Sequence, residues 1–177
     1  WYAFETIVAS GPRSALPHAR ASDREMRVGD VVVIDFGVSY RGYCCDITRT
    51  VVVRSRPPKE VVAMHRTVIH AIDAALKTVR SGAPAKEVDA AARSVVEEAG
   101  YGKRFIHGLG HGVGLEVHEP PRLSPTSDDA LQAGNVVTIE PGLYYPDVGG
   151  VRLEDDVLIT ETGCEVLTDF PKILEIG

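Results

Sequence analysis

Gly29-Asp30-Val31-Val32-Val33-Ile34-Asp35-Phe36-Gly37 returns later in the chain as Gly134-Asn135-Val136-Val137-Thr138-Ile139-Glu140-Pro141-Gly142. Both copies are apolar, β-branched runs of the kind that form buried strands, and both end on a carboxylate. A second acid follows each copy: Asp46 in Cys45-Asp46-Ile47-Thr48-Arg49-Thr50, and Glu154 in Arg152-Leu153-Glu154-Asp155-Asp156. Four acids therefore stand at matching places in two related halves.

A carboxylate in apolar surroundings is costly unless its charge is compensated, and four together call for cations. Two divalent ions need about the charge that Asp35, Asp46, Glu140 and Glu154 supply. An imidazole from His111 would complete an oxygen-rich set suited to manganese, cobalt, iron or zinc. Such a pair activates water and polarises a carbonyl, which is the chemistry of hydrolysis.

Working outward from the repeat, residues 3–9 and 28–38 read as strands, with 43–53 as the hairpin partner of the second across Tyr40-Arg41-Gly42. Asp35 and Asp46 would then face each other on neighbouring strands. From Pro57 the period becomes helical: Val61, His65, Val68, Ile69, Ile72, Leu76 and Val79 share a face, and Ser81-Gly82 is the stop. Pro84 opens a second helix with Val88, Ala92, Val95 and Ala99 on its face and Gly100 at its end. His65 is expected in the core and His70 in solvent. In His107-Gly108-Leu109-Gly110-His111-Gly112-Val113-Gly114-Leu115 one face of an extended strand would be bare glycine, open to close approach by a ligand or another chain. Residues 120–133 read as a loop, and strands 135–140 and 150–159 form the closing hairpin, with Gly149-Gly150 as a bend.

The chain has 177 residues, 44% of them hydrophobic and 25% charged, enough for a single core. A formal net charge of -6 with no basic, aromatic-interleaved patch argues against nucleic acid as a partner. No apolar run approaches the roughly 20 residues that span a bilayer, so no membrane is expected. Cys44, Cys45 and Cys164 lack CxxC spacing and are odd in number, which fits a reducing cytoplasm better than a disulfide framework. Strand alternation points Cys45 away from the face of Asp46, a structural role.

The motifs Ile34-Asp35-Phe36-Gly37, Asp46-Ile47-Thr48-Arg49-Thr50, Gly110-His111-Gly112, Ile139-Glu140-Pro141-Gly142 and Glu154 together resemble those of the pita-bread metallopeptidases. That family contains methionine aminopeptidase, aminopeptidase P, prolidase and creatinase. The resemblance covers essentially the whole chain. It implies an α/β (α+β) pita-bread fold, two pseudo-symmetric halves with a curved antiparallel sheet and covering helices. It also implies two divalent metal ions, manganese foremost, held by Asp35, Asp46, His111, Glu140 and Glu154. Asp46 and Glu154 would bridge them, Asp35 would chelate one, and His111 with Glu140 would bind the other. Glu140 would handle the proton of the attacking water.

His107, four residues before the ligand histidine, resembles the fuller histidine pattern of the Xaa-Pro peptidases, so the expected substrate is a proline-containing peptide or dipeptide. His18 and His118 match the outer histidines that hold substrate and the tetrahedral intermediate, and Arg152 is expected to contact substrate or orient a ligand carboxylate. Alternatives on the same fold are a methionine aminopeptidase, a non-catalytic peptide- or protein-binding module, and metal-free creatinase-like chemistry. The intact set of five ligands weighs against the last two. Asp35-Phe36-Gly37 lacks the companion motifs of a kinase, and the glycines at 108–114 fail the dinucleotide spacing.

The repeat carries one more expectation. The helix pair over 57–99 precedes the second acidic hairpin, and an equivalent pair for the first would lie before Trp1. Residues 1–177 are accordingly read as the C-terminal catalytic domain of a longer protein that lacks its N-terminal domain and first helices, the full-length form being a homo-oligomer. On that reading an apolar sheet face near residues 28–53 is left uncovered, or is covered by another chain.

Overall fold

The computed structural model describes residues 1–176. Its first half holds β1 (Ile7–Ser10), a short 3-10 helix (Gly11–Ala15), β2 (Val31–Phe36), the small hairpin β3 (Ser39–Tyr40) and β4 (Tyr43–Cys44), and β5 (Ile47–Val53). Two helices follow, α1 (Lys59–Leu76) and α2 (Ala85–Glu98). After a second 3-10 turn (Gly102–Arg104) come β6 (Gly110–Gly112), β7 (Glu119–Leu123), β8 (Val136–Ile139), β9 (Gly142–Tyr145), β10 (Gly149–Arg152), β11 (Asp155–Ile159), β12 (Cys164–Val166) and β13 (Glu175–Ile176).

The sequence repeat is realised as a structural one. β2 pairs antiparallel with β5, setting Asp35 opposite Thr48, and β8 pairs antiparallel with β11, setting Ile139 opposite Asp155. The first pair belongs to a sheet ordered β1-β2-β5-β13, the second to one ordered β12-β11-β8-β6-β7. A two-stranded ribbon of β9 and β10 lies between β8 and β11 in the chain.

The two helices pack on each other over one apolar core. Val61, Val68, Ile72, Val88 and Val96 from the helices meet Val52, Val137, Leu143, Val151 and Ile159 from the strands, all essentially buried. Each such side chain contributes roughly 1.5–3 kcal/mol when fully buried. α1 ends at Leu76, before the expected Ser81-Gly82 stop, because the Thr78 amide and hydroxyl both donate to the Ala75 carbonyl and close the last turn. His65 is buried on α1 and His70 is exposed, as the periodicity predicts.

Several boundaries differ from the sequence expectation. Residues 3–6 are bends and loop, so the first strand is shorter at its start. The expected strand over 150–159 is broken at Leu153-Glu154, since Arg152 pairs with Gly142 in the ribbon while Asp155 pairs with Ile139 in the larger sheet. Gly149 and Gly150 lie within β10 rather than at a bend, and a Cβ on Gly150 would collide with the Ser14 carbonyl. Part of the expected 120–133 loop is β7, which pairs with β6.

The uncovered apolar face is confined to a margin. Val32, Val51 and Arg49 on the outer side of β2 and β5 are buried, with Arg49 lying over the Phe170 ring, while Val8 and Phe36 nearer the edge are 40% and 42% exposed. The segment after β12 supplies that cover, which strand patterning alone does not reveal. Among the described residues no helix is long and apolar enough to cross a membrane.

Candidate active site

The halves meet along a seam that joins residues 46–50 to residues 152–156. The Thr50 hydroxyl donates to the Arg152 carbonyl at 2.8 Å and accepts from the Arg152 amide at 3.0 Å. One step on, the Glu154 amide donates to the Thr48 carbonyl at 3.1 Å, and the Thr48 hydroxyl donates to Glu154 Oε2 at 2.5 Å. At the end of the seam the Asp46 amide donates to Asp156 Oδ2 at 3.0 Å. The chain break at Leu153-Glu154 is thus what turns the Glu154 carboxylate into the space between the sheets.

Asp35, Asp46, His111, Glu140 and Glu154 all line one cavity of about 200 Å³, so the five predicted ligands come together. Donor atoms of Asp46, His111 and Glu154 lie within 4.8 Å of one another, a group able to hold a metal ion. Asp35 Oδ1 and Asp46 Oδ1 are buried with no hydrogen-bond partner among the described residues. His111 Nδ1 donates to the Gly112 carbonyl at 3.0 Å, so in the neutral ring Nε2 presents its lone pair to the cavity. Cys45 takes no place in this group: its sulfur receives the Val38 amide instead.

The electrostatics describe a cavity short of positive charge. Burial, then the neighbouring Asp35 and Glu140 charges, push the Asp46 carboxyl up to about 9. Burial and the Glu140, Asp46 and Asp35 charges raise Glu154 well above the carboxylate range. Glu140 is held below its ordinary value although burial opposes this, because His111 bonds it at 3.2 Å and the positive side chains of the site surround it. His111 is raised by the same pairing against the pull of burial. An oxygen-rich donor set with orphaned carboxylate oxygens and the His111 imidazole beside it fits divalent cations.

A second lobe of about 260 Å³ opens from the first and is lined by His18, His107, His118, Arg122, Glu140 and Arg152, among others. His18 and His118 are exposed to it. His107 differs. Its Nδ1 donates to the Gly108 carbonyl at 2.7 Å and its Nε2 accepts from the Tyr144 hydroxyl at 2.9 Å, which commits both nitrogens and leaves the ring face to the cavity. Burial lowers its proton affinity, in keeping with a neutral ring.

Arg152 is buried and faces the protein. It donates to Asp35 Oδ2 at 2.5 Å, to the Thr48 hydroxyl at 3.2 Å, to the Tyr144 hydroxyl at 3.0 Å and to the Pro17 carbonyl at 3.1 Å. These contacts orient a ligand carboxylate, one of the two roles expected of Arg152, while the residue also lines both lobes of the cavity.

The sequence reading missed four contributors. Tyr144 links Arg152 to His107, and its position four residues after Glu140 was the signal. Asp89 and Arg93 on α2 pin the glycine tract: Arg93 donates to the Phe105 and His107 carbonyls at 3.0 and 2.9 Å, and Asp89 accepts the Leu109 amide at 3.0 Å. Arg122 lines the second lobe and makes no ion pair among the described residues. The bare face of the tract is filled by this chain itself, since a Cβ on Gly110 would meet the Thr138 carbonyl and one on Gly112 the Pro120 carbonyl.

With that geometry in hand, the comparisons are specific. Residues 1–161 match metallopeptidase family M24. The chain is 53% identical over 166 residues to a Xaa-Pro dipeptidase of Pyrococcus furiosus, a match covering 94% of this chain and 47% of that protein. Among solved structures it superposes on the prolidase from Pyrococcus furiosus with TM-score 0.93 and 52% identity, covering 96% of this chain and 50% of that one. It also superposes on an X-Pro aminopeptidase from Thermotoga maritima with TM-score 0.95 and 48% identity, covering 99% and 50%. The fold is the pita-bread fold of these neighbours, and the chain spans about half the length of the curated relatives it matches.

Proposed function

The chain belongs to metallopeptidase family M24, and from that premise we propose that it cleaves the bond preceding proline in Xaa-Pro dipeptides, using two divalent cations, manganese foremost. The observation that carries this reading is the convergence of Asp35, Asp46, His111, Glu140 and Glu154 on one cavity that opens into a lobe walled by histidines. Its relatives named Xaa-Pro dipeptidase support the substrate class.

When bound, such a cation pair supplies an activated water and polarises the scissile carbonyl. Asp46 and Glu154, joined across the seam, would hold both ions. Asp35, oriented by Arg152, would serve one, and His111 with Glu140 the other. Glu140 takes the proton of the attacking water and passes it to the proline nitrogen as the bond breaks. His18 and His118 donate toward the carbonyl oxygen as charge develops there. The ring of His107, its nitrogens already engaged, offers a flat wall to the pyrrolidine. Arg122, free of ion pairs among the described residues, receives the terminal carboxylate that a dipeptide presents within reach of the cleft. Three free cysteines agree with a cytoplasmic setting.

The test is a metal-resolved assay of the full-length protein on Xaa-Pro dipeptides and Xaa-Pro-Yaa tripeptides. Dipeptides are expected to be the better substrates, and Arg122→Ala is expected to raise their KM by about tenfold, as loss of a charged hydrogen bond would. Metal-independent activity, or none on either substrate, would sink the proposal. An Arg122→Ala enzyme with unchanged dipeptide kinetics would remove its carboxylate-binding part.

A further inference from the structure

Arg49 is a buried guanidinium that lies outside the cleft, on the opposite face of β5 from Thr48 and Thr50. Its Nη1 donates to the main-chain carbonyls of Thr48 and Glu154 at 2.9 and 2.6 Å. Its Nη2 donates to Asp155 Oδ1 at 2.8 Å and to the carbonyls of Thr168 and Phe170 at 3.2 and 2.7 Å, and Nε donates to the Phe170 carbonyl at 3.2 Å. The guanidinium therefore bonds three segments at once: its own strand, the segment carrying Glu154, and the segment after β12.

Glu154 feels this most. Its amide is held by the Thr48 carbonyl and its own carbonyl by Arg49, so both main-chain polar groups of this acid are fixed by two consecutive residues of the other half. Asp46 is fixed to the same clamp through Asp156. Behind the clamp, residues 167–172 form an abutment. Lys172 pairs with Asp155 Oδ2 at 2.5 Å, the Thr168 hydroxyl donates to Asp155 Oδ1 at 3.1 Å and accepts the Asp156 amide at 2.9 Å, and the Leu167 amide donates to the Asp156 carbonyl at 2.8 Å. This abutment lies beyond the residues matched to the family.

A buried ion pair is a poor way to gain stability, because apolar side chains of similar volume often do as well or better. A fully bonded one between two acid-bearing segments fixes geometry instead. We infer that Arg49, backed by residues 167–172, is a positioning residue that sets the separation of Asp46 and Glu154 and so the spacing of the two cations. This rests on the metal reading above.

The experiment is manganese titration of the full-length protein by calorimetry, with the electron paramagnetic resonance spectrum of the loaded form. The wild type is expected to bind two ions with a spin-coupled spectrum. Arg49→Lys keeps the charge but not the planar fork. It is expected to weaken at least one ion by roughly 10–100-fold, the usual effect of losing an outer support, and to lose the coupled signal, while KM for substrate at saturating manganese holds. A lower melting temperature with an unchanged isotherm and spectrum would show a merely structural role and overturn the inference. Should Arg49→Lys fail to fold, Asp155→Asn carries the test, with a smaller shift in the same direction expected and a wild-type isotherm overturning it. A wild type that does not bind two ions overturns the metal reading and this inference together.

Discussion

In the first half of the molecule Asp46 lies among carboxylates, whereas in the second half Glu140 lies against His111 and close to His107. The two acids stand at different places of the repeat, Glu140 ending its strand as Asp35 does and Asp46 following it as Glu154 does, and burial and like charges push Asp46 up to about 9 while the surrounding imidazoles and Arg152 hold Glu140 down. The histidine side of the cleft is ionised by the protein's own groups. On the seam side Asp46 and Glu154 are both raised, and a cation beside them favours their negative charge, so the acid that ends β8 serves as a ready base and the two acids that follow the repeated runs serve as conditional ligands.

The sharpest way to break this comparison is Glu140→Gln. With proton transfer removed, kcat is expected to fall by roughly 10²–10⁴ while calorimetry still detects bound metal. Full activity in that variant would mean that the ionised half is not the half that moves protons. Next comes Glu154→Gln, which takes away a seam carboxylate and is expected to cost metal affinity more than the roughly 100-fold typical of an outer partner; an unchanged manganese isotherm would dissolve the distinction between the halves.

A smaller effect follows from pH. Asp46 has its folded value raised from an ordinary value near 4 to about 9, so between these values the metal-free folded chain keeps a proton that the unfolded chain has lost. Stability in chelator is therefore fully present below about pH 4 and declines as pH rises through about 9, and metal loading at pH 7 releases protons. Thermal unfolding from pH 5 to 9 with and without manganese checks both. A melting temperature that climbs with pH in chelator would contradict the assigned sign. The mildest change, Tyr144→Phe, breaks the link from Arg152 to His107 and is expected to cost about 1 kcal/mol, or roughly fivefold in kcat/KM.

How far the sequence carries depends on whether a feature is local. The repeated run, its closing acids, the face of α1 and the positions of His65 and His70 are set by neighbours within a few residues and were legible, whereas on α2 the expected Ala99 is exposed and Val96 is buried in its stead. The meeting of Asp35, Asp46, Glu140 and Glu154 in one cavity was legible too, because burying acids in β-branched strands is a conflict that the sequence displays, and His111 joins them from the glycine tract. The break at Leu153-Glu154 was not, since one extended run reads alike whether it pairs with one partner strand or two. Nothing local marks Arg49 for burial; only the distant approach of residues 167–172 shows why it is buried. Arg152 was singled out, but its commitment to Asp35 and Tyr144 is a tertiary fact. The glycine tract announced a close approach without saying that the approaching backbone was its own.

The seam also has a consequence in time. Its hydrogen bonds join residues 102 to 110 positions apart, and contacts of such separation close large loops and form slowly compared with helices and local hairpins. A chain still emerging from the ribosome, or one only partly refolded, holds Asp35 and Asp46 on one side and lacks Glu140 and Glu154 on the other. It has half a charge cluster and no hydrolytic centre. A metal site whose acids are divided between the two halves of the fold stays incomplete until folding is complete, with no separate inhibitory segment required to keep it so.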